Sequence, residues 1–131
     1  MHVDVIDTVN SKTRDEFQDE YFPPSDWQSW THPKTKIIYQ ISLQTSATLS
    51  PQDFESCFHL IDYTSSSHYR RSVVGWKPQQ KQDEMKLPDM KYILVMHQGR
   101  LGGFTSFMPS YEDGFPVLYC YEIHITDTLK G

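Results

Sequence analysis

Residues 117–126, VLYCYEIHIT, constrain the fold more than any other stretch of this chain. Their β-branched and aromatic alternation reads as a strand with two unlike faces. On a regular strand Val117, Tyr119, Tyr121, Ile123 and Ile125 share one face. Leu118, Cys120, Glu122, His124 and Thr126 share the other. A carboxylate set among apolar neighbours such as Leu118 and Cys120 is expected to have a raised pKa. A β-bulge, a device found beside active sites, would change which side chains share its face.

The rest of the chain supplies neighbours for that strand. KIIYQISL (36–43) reads as a strand. Ser50-Pro51 reads as a helix start, and Phe54, Cys57, Phe58 and Ile61 recur at helical spacing, so a helix is expected over 51–63. The run Thr64–Ser67 is expected to weaken it. Pro78 opens a second helical piece that Pro88 closes. KYILVMH (91–97) turns through Gln98-Gly99-Arg100 into LGGFTSFM (101–108), a hairpin by length and glycine content. Gly102-Gly103 has no helix after it, so a bulge or a close backbone approach explains the pair better than a phosphate loop. The turn-rich PSYEDGFP precedes the last strand. The order is β-α-α-β-β-β, an α+β layout with an antiparallel meander.

At 131 residues the chain has the size of one domain. Its net charge of −5 is uneven: residues 1–30 hold seven acids and two bases, and the remainder holds ten of each. With no basic face, direct nucleic-acid binding is not expected. Residues 1–35 read as an acidic, aromatic-containing extension and a solvated tail, with a short helix within 11–20. Cys57 and Cys120 read as two buried free thiols, and no metal site is expected from so few Cys and His at short spacing. No apolar run approaches the ~20 residues of a membrane span, and the N-terminus lacks a signal-peptide pattern. A nuclear and cytoplasmic location is expected.

The segment GWKPQQKQDEM, the hairpin, FTSF and above all VLYCYEIHI resemble the NatD-type histone Nα-acetyltransferases of the GNAT acetyltransferase superfamily. Tyr69, seven residues before Trp76, and the Gln/Lys/Glu-rich helix ending in Glu84-Met85 add to the resemblance. It runs from about residue 37 to the end, so residues 36–131 read as the amino-terminal part of a GNAT domain. That fold implies a phosphate-binding loop and helix after the 117–126 strand. Lys130-Gly131 stands where the loop would begin, so the chain reads as truncated before the acetyl-CoA pyrophosphate loop. Self-association of such a truncated chain is expected, with Ile123 and Ile125 facing water.

The resemblance implies acetyl transfer from acetyl-CoA, without a metal, to the N-terminal amine of histone tails beginning Ser-Gly-Arg. Glu122 is the implied base and Tyr121 the implied partner in catalysis. Tyr69, Glu84, Glu112, Asp113 and Tyr119 are the implied substrate-binding residues. Ile123, His124 and Ile125 would face the cofactor. His124 also lies two residues from Glu122 on its face, where a base role is conceivable, although a satisfied core histidine is the simpler reading. The relatives carry a Trp at the position of Val74 and an Asp at that of Ser110. Two other readings stay open: a non-catalytic, truncated peptide-binding module, and a GNAT enzyme for another amine.

Overall fold

A computed structural model describes residues 4–129, apart from 72–76 and the side chains of 65–71. The order is α1 (Val5–Asn10), α2 (Arg14–Tyr21), a single 3-10 turn, β1 (Ser29–Thr31), β2 (Ile38–Thr45), α3 (Pro51–Arg71), α4 (Pro78–Met85), β3 (Lys91–His97), β4 (Arg100–Glu112) and β5 (Phe115–Ile125). The expected β-α-α-β-β-β series is therefore present as β2 to β5. The five strands form one antiparallel sheet in the order β1-β2-β3-β4-β5.

Both sheet faces are covered because successive strand residues point to opposite sides. On one face Tyr92, Leu94 and Phe104 pack with Cys57, Leu60 and Ile61 of α3 and Met85 of α4. On the other, Leu43 and Phe107 pack with Phe17 of α2, flanked by Val9, Phe22 and Trp27. The second cluster corrects the reading of residues 1–35 as a solvated tail. Phe17 is 2% exposed, and β1 pairs with β2 through Trp30 and Tyr39. The buried Lys91 ammonium lies over the Phe17 ring at 5.3 Å and donates to Asp89 O and Asn10 Oδ1. Burial lowers its pKa.

Local chemistry sets the elements. Thr13 and Glu16 form a reciprocal capping box at the start of α2. Ser50 Oγ accepts from Asp53 N ahead of Pro51. The helix α3 runs past the expected end at 63, because the Thr64 hydroxyl bonds back to the Leu60 carbonyl instead of competing with the ladder. Both hairpins turn on two residues with positive φ, Gln98-Gly99 and Asp113-Gly114, the pattern that fits strand twist. The stretch expected as a long turn is thus mostly strand, up to Glu112. Pro109 is tolerated because β4 has left β3 beyond Phe107, and Pro116 because β5 is an outer strand.

Gly102 is the extra residue where β4 shifts register against β3. A Cβ on Gly103 would meet the His124 carbonyl oxygen at 2.9 Å. The glycine pair thus serves both a bulge and a close approach. Cys57 is buried as expected, but Cys120 is exposed, because its strand face beyond β4 has no covering layer there.

Phe17→Ala should cost about 3 kcal/mol in urea unfolding, the usual scale for emptying a core phenylalanine site. A loss under about 0.5 kcal/mol would mean that the acidic lead is not part of the core. Gly103→Ala should lower Tm by several degrees, since the obstructing atom is backbone and a cost of about 1–3 kcal/mol follows from overpacking.

Candidate functional site

The site is built where β5 breaks its own alternation. Ser106 pairs with Glu122 and Phe107 with Cys120, so Tyr121 is an extra residue in the ladder. Such a bulge turns consecutive side chains the same way. Tyr121 packs against the α3 and α4 face cluster. Tyr119 is registered with Met108 of that same cluster, and the two tyrosine rings lie 5.0 Å apart. Glu122 and His124, registered with Ser106 and Phe104, share this face. The regular-strand expectation placed the tyrosines opposite Glu122; the bulge brings them to its side.

Glu122 is 9% exposed and uses both oxygens. Its Oε1 accepts from Lys81 Nζ at 2.6 Å, and its Oε2 is bonded to His124 Nε2 at 2.5 Å. Lys81 also donates to Glu84 Oε1 at 3.1 Å. On the far side of the ring, His124 Nδ1 lies 2.6 Å from Thr64 Oγ1 of α3. A single chain of polar contacts thus runs Glu84–Lys81–Glu122–His124–Thr64 across α4, β5 and α3.

This arrangement corrects one expectation. Burial does push the Glu122 pKa up, but the bonds from His124 and Lys81 and their positive charge override it, and the carboxyl sits below its ordinary value. For Lys81 burial pushes the pKa down, yet Glu122 and Glu84 hold it above its ordinary value. The apolar neighbours named for Glu122, Leu118 and Cys120, lie across the bulge on the other face, registered with Pro109 and Phe107.

The remaining candidates scatter. Glu84 is brought into the cluster through Lys81. Glu112 and Asp113 sit at the β4–β5 turn and are exposed, roughly 20 Å from Glu122 along the strand. Ser110 faces neither acid across the sheet; it is registered with Val117. The side chains of Tyr69, Val74 and Trp76, and the residues Lys130-Gly131, lie outside the described residues. Ile123 and Ile125 are 73% and 41% exposed, as expected for apolar residues facing water. With Ile93, Val95 and Thr105 they line a shallow hollow of about 150 Å³. That hollow suits an aliphatic chain and offers no cation to a phosphate. A larger apolar cleft of about 340 Å³ lies at the other end of β5, against Pro116 and Leu118, away from the polar chain. No group of metal-binding side chains occurs among the described residues.

Lys81 and Thr64 escaped the sequence reading. The Lys81–Glu84 spacing of three on a helix was a visible signal. The contact of Lys81 with Glu122, 41 residues away, had no local signature.

No family model matches the chain. A curated relative, N-alpha-acetyltransferase 40 of Saccharomyces cerevisiae (strain ATCC 204508 / S288c), is 34% identical over 98 residues. The match covers 61% of this chain and 34% of the relative, so the chain spans about a third of that protein's length. Among solved structures, an aminoglycoside acetyltransferase from an uncultured soil metagenomic sample, crystallised with trehalose and with sisomicin, aligns at TM-score 0.47 and 11% identity. It covers 70% of this chain and 59% of that one.

The Glu122–Lys81 pair has a definite pH signature. The Glu122 contribution to stability is present above its ordinary pKa of 4.5 and is lost as pH falls through the lowered folded value. The Lys81 contribution is present below 10.5 and is lost as pH rises through its raised folded value. Lys81→Met should therefore cost roughly 3 kcal/mol between about pH 5 and 10, by leaving a buried carboxylate without its cation. The gap from wild type should close below about pH 4. Urea unfolding at three pH values measures it, and a pH-independent gap would show that the pair is not the cause.

Proposed function

We propose that this chain carries the amine-handling part of an acetyltransferase that moves an acetyl group from acetyl-CoA to an amine. The observation that carries the reading is the bulge at Tyr121, which sets Tyr119, Tyr121, Glu122 and His124 on one sheet face. The similarity to a protein named N-alpha-acetyltransferase 40 supports it. An α-ammonium has a pKa of about 7.7–8.0, so a modest base suffices to free its lone pair near neutrality. Buried anionic Glu122 supplies the charge that draws such a cation and stabilises a proton taken from it. Tyr119 and Tyr121 wall the site, and Glu84 adds a second carboxylate.

The finer reading is a protein N-terminal α-amine as acceptor, on histone tails that begin Ser-Gly-Arg, in nucleus and cytoplasm. Exposed Glu112 and Asp113 suit the Arg of such a tail through charge-assisted bonds. Their distance from Glu122 makes them contacts for a residue well beyond the reacting amine. Another amine remains a competing substrate, and a peptide array decides between them.

Acetyl-CoA fits part of what is described. β5 is the outer strand of the sheet among the described residues, so residues 123–125 present a strand edge and the apolar hollow to an extended ligand. The segment expected to hold the pyrophosphate begins at Lys130, outside the described residues. A second reading follows from the chain's spanning about a third of its relative: a module that binds peptide without turning it over. Isothermal titration of the 131-residue chain with acetyl-CoA separates the two. Micromolar binding is the outcome for a catalytic unit, and no heat is the outcome for the module.

In the chain joined to the remainder of its domain, a Ser-Gly-Arg-Gly peptide should gain an acetyl group. Glu122→Gln should lower kcat more than tenfold, and unchanged turnover would remove Glu122 from the chemistry.

A further inference from the structure

Glu122 holds a Lys81 ammonium on one oxygen and a His124 ring nitrogen on the other. A carboxylate so engaged is a poor proton acceptor and a good counter-ion. The imidazole beside it has the complementary arrangement. One ring nitrogen is fixed on the carboxylate, and the other is aimed at a hydroxyl 2.6 Å away on an exposed helix residue, Thr64. Hydroxyl, imidazole and carboxylate in that order form a proton-accepting assembly in which the carboxylate sets the tautomer and stabilises the imidazolium.

We propose that His124 Nδ1 is the proton-accepting atom of this site, with Glu122 as its positioning residue and Lys81 as the residue that positions Glu122. The proposal rests on the acetyl-transfer reading above and shifts the base from Glu122 to its neighbour. The lowered pKa of Glu122 is consistent with it, since the carboxylate stays charged while the imidazole titrates.

The proton path closes. An α-ammonium gives one proton to the Thr64 oxygen as the Thr64 hydroxyl proton moves to Nδ1. The hydroxyl is re-formed, the amine keeps its lone pair, and His124 becomes an imidazolium beside Glu122. Attack on the thioester carbonyl makes the C–N bond and breaks the C–S bond. The second amine proton leaves with the thiolate as a thiol, and the imidazolium returns its proton to water. The groups around the ring fit this role. Phe104 packs 5.7 Å from it, Glu122 lies in its plane of bonding, and Lys81 and Glu84 stand behind Glu122. The Thr64 hydroxyl also reaches the Leu60 carbonyl at 2.9 Å. Its one proton goes to that carbonyl when Nδ1 is protonated and to Nδ1 when it is not.

Two measurements test the proposal. The first is turnover of the chain joined to the remainder of its domain. His124→Ala should lose more than tenfold in kcat with a smaller change in KM, and added free imidazole should restore at least part of the lost rate. Wild-type turnover in His124→Ala, or a loss that imidazole leaves untouched, overturns the proposal. Lys81→Arg should keep more activity than Lys81→Met, and equal activity of the two removes Lys81 from the assembly. The second is the 15N spectrum of the His124 ring in the 131-residue chain near neutral pH, which needs no turnover. An unprotonated Nδ1 and a protonated Nε2, reversed or mixed in Glu122→Gln, support the assembly. A protonated Nδ1 in the wild-type chain overturns it. If the wild-type enzyme acetylates no amine, the acetyl-transfer reading fails, and the ring spectrum still judges the assembly by itself.

Discussion

A carboxylate under a helix layer must be paired or neutralised, and Glu122 is paired twice. That requirement organises the site. Lys81 reaches Glu122 only because α4 lies against the sheet face where Met85 is buried. His124 reaches it only because the bulge at Tyr121 restores the phase of β5 beyond residue 121. Without the extra residue, Glu122 and His124 would share a face with Cys120 and Leu118 and look away from both helices. One inserted residue thus decides whether the strand presents a buried charge to helices or an exposed one to water.

The sheet that carries this site is held from both sides. Phe17, Leu43 and Phe107 cover the face opposite Glu122, and the buried Lys91 links that face to the acidic lead. The lead therefore acts on the site indirectly, by keeping β4 flat against its neighbours where Phe107 and Ser106 bracket the register shift. The strand β5 has support on one edge alone, and Ile123 stays open to water beside the shallow hollow. The site is consequently firm on its helix side and open on its strand-edge side, which is a sensible division for a unit that fixes an acceptor and admits an acyl donor.

Much of this was legible in residue patterns. The alternation in VLYCYEIHIT, the helix start at Ser50-Pro51 and the two meander hairpins follow from pleat and turn chemistry. The bulge was not legible, because Tyr121 continues the alternation whether or not it is paired. The length of α3 was misjudged because Thr64 and its serines are poor helix residues in isolation, while a hydroxyl bonded back to Leu60 removes the objection. The lead looked polar because its charges outnumber its aromatics. Thr13 and Glu16 at capping-box spacing, followed at once by Phe17, was the signal that a packed helix stood there. The Lys81–Glu122 contact belongs to tertiary structure alone and could be found only by folding α4 onto β5.

The account stands on energetic coupling between α4 and β5 through one ion pair. A double-mutant cycle on Lys81→Met and Glu122→Gln, read by urea unfolding at pH 7, measures that coupling directly. The structure requires an interaction energy above about 1 kcal/mol, with the double variant more stable than the sum of the single losses allows. Additive losses within about 0.3 kcal/mol would mean that the two side chains do not meet, and the site as described would not exist.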